Sequence, residues 1–129
     1  MSQHPNSMSL GLGLAAMLLG FGLNGLARPD AHLKALGFPG HQADPAAHKL
    51  NHALMRIWGV RNLTVGSLLA LIWNTGDEKL MGACLCVVMA LPIVDGFVSR
   101  SLTGGGELQH WVFLPVLALL TSRLFGWFD

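Results

Sequence analysis

Residues 51–73, NHALMRIWGVRNLTVGSLLALIW, decide how the rest of the chain is read. The run is long and apolar enough to cross a hydrocarbon core, yet Arg56, Arg61 and Asn62 lie in its first half, where lipid alone cannot solvate them. At about 100° per residue, His52, Met55, Arg56, Gly59, Asn62, Leu63 and Gly66 share one broad helical face. Arg61, with Trp58 and Thr64, points nearly the other way. A helix that is polar on two sides belongs inside a bundle, where other helices supply partners. The natural counter-charge is Asp95, the carboxylate embedded in the apolar stretch VVMALPIVDGFVSR, residues 87–100.

Composition agrees with that reading. Of 129 residues, 52% are hydrophobic and 12% charged, and the formal charge is +1. This places the chain on the membrane side of globular composition, as one domain, with no basic excess pointing to nucleic acid. Cys84 and Cys86, two apart on a predicted helix, face nearly opposite sides and cannot bridge each other.

Four spans are predicted, at about 9–27, 51–73, 80–98 and 110–128, with an amphipathic link over 28–50. The first span carries no charge, and Ala16, Gly20 and Asn24, with Gly13 close by, form a small-residue seam. It is read as an uncleaved span. Asp44 followed by Pro45 opens the second helix before it enters the membrane. The short turn 74–79 makes spans two and three antiparallel neighbours and sets Asp95 level with Ile57, between Arg56 and Arg61 in depth. Pro92 frees the carbonyl of Val88 and kinks span three one turn before Asp95. Residues 101–109, with Gly104, Gly105 and Gly106, form a flexible link, and Trp111 and Trp127 stand at the two ends of span four. The fold class expected is therefore all-α, a polytopic membrane four-helix bundle. Arg28, Lys34, Lys49 and Arg100, against Lys79 and Arg123, place the first and third links in the cytosol.

Arg56, Arg61 and Asp95 are the strongest constellation, because ionisable groups at membrane depth usually pair or line a polar cavity. Glu107 and His110, at the mouth of span four, could relay protons. Asn62, Asn24 and Trp58 complete the candidate site as substrate contacts. Asp44, His48 and His52 follow one another at i+4, but Asp44 is better explained as a helix cap, and no HExxH or CxxC pattern supports zinc. No metal ligand set and no cofactor is assigned. Ser67, Ser99 and Ser101 lack the setting of a serine nucleophile.

The stretches GVRNLTVG (Gly59–Gly66), VDG (Val94–Gly96) and QHWVFLPV (Gln109–Val116), with the glycine-rich first span and the link Gly37–Pro39, resemble a family of small four-span integral membrane proteins, largely fungal and bacterial, catalogued as a domain of unknown function. The resemblance implies a four-helix membrane fold and carries over no catalytic residues. It also implies a setting beside fungal pathways for lipophilic natural products. Three functions follow as expectations. The first is a membrane-embedded acid/base enzyme, an isomerase, cyclase or hydrolase, acting on a lipophilic intermediate drawn from the lipid bilayer. In it Asp95 is acid or base, Arg56 and Arg61 hold its charge or stabilise an oxyanion, and Glu107 and His110 relay protons. The second is a non-catalytic structural or partner-binding membrane protein whose buried charges fix helix packing. The third, a small transporter or channel subunit, has less support, since no helix carries a repeated line of polar positions.

Overall fold

The computed structural model describes residues 4–128, and every regular element among them is helical. The segments are α1 (Pro5–Ala27), α2 (Pro29–Ala35), α3 (Pro45–Thr75), α4 (Glu78–Val88), α5 (Ala90–Thr103), α6 (Glu107–Trp111) and α7 (Phe113–Leu124). Local chemistry sets most boundaries. The Asp44 carboxylate accepts the amides of Ala46 and Ala47, and Pro45 occupies the first turn of α3. Gly76, at φ 71°, ends that helix in the left-handed conformation that glycine adopts without a Cβ clash. Asp77 then caps α4 through the amide of Leu80.

The breaks within the second half of the chain come from proline. Pro92 has no N–H for the carbonyl of Val88, and the helix is interrupted at Met89, between α4 and α5. Pro115 withholds the donor that would meet the carbonyl of Trp111, and α6 and α7 part at Val112. Met89 and Val112 both keep right-handed helical dihedrals, so each pair forms one interrupted rod.

α1 and α3 lie antiparallel along a glycine seam. A Cβ on Gly22 would come within 2.7 Å of the Gly59 carbonyl oxygen, and one on Gly66 within 2.9 Å of the Ala15 carbonyl oxygen. Small residues allow the two backbones this approach. The seam corrects the expected one: Gly11, Ala15, Gly22 and Gly25 are buried, whereas Gly13, Ala16 and Gly20 face outward. An almost uniformly apolar helix has small residues on two sides, and only the spacing of Gly59 and Gly66 on α3 selects between them.

Beyond the seam, Met8, Leu18, Leu69, Met81, Leu85, Leu117, Leu120 and Leu124 build a core at one end of the molecule, between α1, α3, α4 and α7. α2, α5 and α6 close the other end. Among the described residues, two helices, Pro5–Ala27 and Glu78–Thr103, are long and apolar enough to cross a membrane.

Several expected boundaries move. α5 runs on to Thr103, so the link is only Gly104–Gly106, and it is a tight turn. Gly104 and Gly106 have φ of 72° and 81°, and the Gly105 carbonyl accepts the hydroxyls of Ser99 and Thr103. The last helix stops at Leu124, short of Phe128. The amide of Trp127 bonds the Ser122 carbonyl and that of Gly126 the Arg123 carbonyl, a Schellman stop with Gly126 left-handed.

Candidate functional site

Asp95 and Arg61 meet across α5 and α3. Arg61 Nη2 donates to Asp95 Oδ2 at 2.6 Å and Nη1 to Oδ1 at 3.0 Å, a bidentate fork that fixes both planes. The guanidinium also lies 5.7 Å from the Trp58 ring centroid. Arg56 does not take part. It is exposed and has no ion-pair partner among the described residues, which corrects its expected place beside Asp95. Five helical residues separate it from Arg61, so it projects about 140° away, outward and not toward α5.

Asp95 also borders a cavity of about 290 Å³. Its wall is mostly apolar: Leu14, Met17, Leu18 and Phe21 come from α1, Val88, Leu91 and Pro92 from around the first break, and Phe113 and Leu117 from α7. The polar side chains that reach it are His32, Asn62, Asp95, Gln109 and His110. Pocket volumes for small molecules start at about 300 Å³, so the space suits a compact ligand. A wider groove of about 940 Å³ runs along α1 and α7 and shares Leu14, Met17, Phe113 and Leu117 with the cavity.

His32 is the member that sequence reasoning missed. It is buried, with its ring 4.5 Å from that of Trp58, and Asn24 Nδ2 lies 2.7 Å from its Nδ1. With Asn24 donating, the neutral ring carries its proton on Nε2, an assignment that follows from the network. Nε2 is buried and has no partner among the described residues. Burial holds the His32 pKa below its ordinary value of 6.5. Asn24 therefore orients His32 and does not itself line the cavity, as a substrate contact would. Nothing in the sequence distinguishes His32 within the amphipathic link; the return of α2 onto α1 and α3 gives it this position.

Asn62 and Trp58 do line the cavity. Asn62 is 3% exposed, and its Nδ2 bonds the Trp58 carbonyl one turn back. His110 lines it too, with Nε2 buried and unpartnered. Its position depends on Gly96: a methyl there would overlap the indole of Trp111, which packs edge-on against Phe97 at 5.2 Å between centroids. Glu107 is separate. It pairs with Arg100 at 3.1 Å and does not border the cavity, so the expected Glu107–His110 relay is not assembled. The capping role of Asp44 removes it from the histidine series, whereas Asp30 of α2 lies within 2.6 Å of His52.

The fold and site define an all-helical protein with a mostly apolar, partly open cavity that has imidazole and carboxylate groups at its wall. The chain belongs to the family described as Domain of unknown function (DUF4267), whose model matches residues 15–124, from the middle of α1 to the end of α7. No curated protein and no solved structure matches it.

Proposed function

We propose that this is a multi-pass membrane protein in which α1, α3, α4 with α5, and α6 with α7 form a four-span bundle. Its cavity takes a lipophilic small molecule from the bilayer and performs acid/base chemistry on it, as an isomerase, cyclase or hydrolase. The outward faces support the membrane reading. Only 28% and 22% of the most apolar stretches of Pro5–Ala27 and Glu78–Thr103 are buried inside the protein, so much of their apolar surface is left for lipid to cover. Leu71 on α3 and Leu119 on α7 are as exposed as Leu10 on α1. Apolar surface this continuous is rare on a soluble monomer. The groove along α1 and α7 offers an apolar path into the cavity.

One observation carries the chemical part: His32 and His110 both line the cavity, and the Nε2 of each is buried without a partner among the described residues. An unsatisfied buried polar group costs about 1–3 kcal/mol, and a ligand oxygen accepting from such a group removes that cost. In this reading the Nε2–H of His32 holds a carbonyl or hydroxyl of the ligand. Asp95 takes a proton from carbon or oxygen, and His110 returns one. Arg61 keeps Asp95 in place and disperses its charge.

The test works with whatever compound the protein carries. Full-length protein is extracted in mild detergent beside a Leu91→Trp variant that fills the cavity, and bound small molecules are identified by mass spectrometry. A lipophilic compound held by the wild type and absent from the variant is expected; equal recovery from both overturns cavity binding. Conversion of that compound should then be lost in Asp95→Asn and His110→Gln. A second reading, a scaffold without catalysis, draws on the bidentate Arg61–Asp95 pair, which alone would lock α3 to α5. Absence of any conversion by the wild type itself would favour it.

A further inference from the structure

Away from the cavity, one side chain of α2 and two of α3 converge. His48 and His52 stand one turn apart on α3, so both rings leave the same face, with centroids 4.3 Å apart. Asp30 reaches them from α2. Its Oδ1 lies 2.6 Å from His52 Nε2 and 3.9 Å from His48 Nε2, and one ligand atom from each residue fits within 4.8 Å of the others. Asp30 stands in the first turn of α2, and its carboxylate turns toward the two histidines of α3.

The tautomer of His48 sharpens the point. Its Nδ1 lies 3.1 Å from the Gly40 carbonyl oxygen, which can only accept, so Nδ1 bears a proton there. In the neutral ring Nε2 is then a lone pair, and it faces a carboxylate oxygen. Two acceptors 3.9 Å apart leave room for a cation between them, a proton or a metal ion. A histidine that gives Nδ1–H to a backbone carbonyl and leaves Nε2 free has the orientation common to metal-ligating imidazoles.

We propose that Asp30, His48 and His52 bind one divalent cation of the Zn²⁺ type through two imidazole nitrogens and one carboxylate oxygen, with solvent in the fourth place. Such ligands sit at about 2.0–2.2 Å from zinc, which keeps tetrahedral donor atoms about 3.3 Å apart, between the 2.6 and 3.9 Å separations present here, so small side-chain adjustments bring the three to the ion. The ion takes the place of the proton between His52 Nε2 and Asp30; the His52 ring stays neutral with its one proton on Nδ1, and any further proton leaves to solvent. A site with one ligand on α2 and two on α3 ties the short helix down. α2 carries His32, and Ala35 and the following Leu36 also line the cavity, so the ion holds one wall of it. The metal site stands on its own residues and does not depend on what the cavity does.

The test uses the full chain without a histidine tag, purified in detergent and stripped with chelator, then titrated with ZnCl₂ against a chromophoric competitor. One Zn²⁺ per chain is expected. His48→Ala, His52→Ala and Asp30→Asn should each weaken binding about tenfold or more. These side chains are partly exposed, and Asp30→Asn is nearly isosteric, so circular dichroism should show the variants folded. Hydrogen exchange of the amides of residues 29–36 should slow when Zn²⁺ is added to the wild type and stay unchanged in Asp30→Asn. Absence of stoichiometric binding overturns the proposal. Binding that needs both histidines but not Asp30 also overturns it, since it marks a bare histidine pair with no hold on α2.

Discussion

Replacing Asp95 by Asn keeps the shape of the side chain and removes its charge. One oxygen can still accept from Arg61, but the new amide sets its own donors against the second guanidinium nitrogen, ending the bidentate fork of 2.6 and 3.0 Å. Breaking a fully buried pair costs about 3–5 kcal/mol, and an exposed pair contributes about 0.2–1 kcal/mol. With side-chain exposures of 32% for Arg61 and 20% for Asp95, the expected loss lies between, at about 1.5–3 kcal/mol. For a chain of this length each kcal/mol moves the midpoint by about 3–5 °C, so thermal unfolding in detergent should show a drop of roughly 5–15 °C. Most of the loss comes from an arginine left without its counter-charge. Adding Arg61→Met should therefore recover half or more of it, a coupling that a double-mutant cycle measures directly. Arg56→Gln is the control, since an exposed and unpaired arginine should shift stability by less than about 0.5 kcal/mol. A single Asp95→Asn variant that melts within about 1 °C of wild type would refute the ion pair. A stable double variant that still converts the bound compound would refute Asp95 as proton carrier.

The other predictions concern the seam and the buried imidazole. Gly22→Ala should cost about 1–3 kcal/mol because its methyl meets backbone on α3, whereas Gly20→Ala, with open space around it, should be neutral or slightly stabilising. Equal melting of the two variants would place the seam elsewhere. The pKa of His32 is lowered by burial, so the unfolded chain takes up a proton near pH 6.5 while the folded chain resists it. The stability this contributes is complete above about pH 6.5 and is lost as pH falls toward the folded value. In chelator, wild type should lose more stability between about pH 7.5 and 5.5 than His32→Phe; parallel curves would show that His32 is not the group responsible.

The resemblance seen in short motifs corresponds to physical contacts. Gly96 of the VDG stretch gives room to Trp111 of the QHW stretch, and both flank residues of the cavity wall, Asp95 and His110. Asn62 of the GVRN stretch lies on the same wall, while Arg61 stands behind it.

What the sequence by itself determined is what depends on neighbours along the chain. Asp44 and Pro45 start α3, Gly76 ends it, Pro92 interrupts the rod that follows, and continuous apolar runs without alternation require helices. The short turn after α3 also brought Asp95 to the depth of the two arginines. Choosing between those arginines needed the angle at which α5 meets α3, because a helix that carries charge on two sides offers either side to a partner. The same holds for the two small-residue stripes of α1, resolved by Gly59 and Gly66 on another helix. Asp30 beside His48 and His52, and His32 over the cavity, are contacts between separate elements that a folded-back link brings together. No periodicity records them, since periodicity fixes which residues share a face and leaves open what that face will meet.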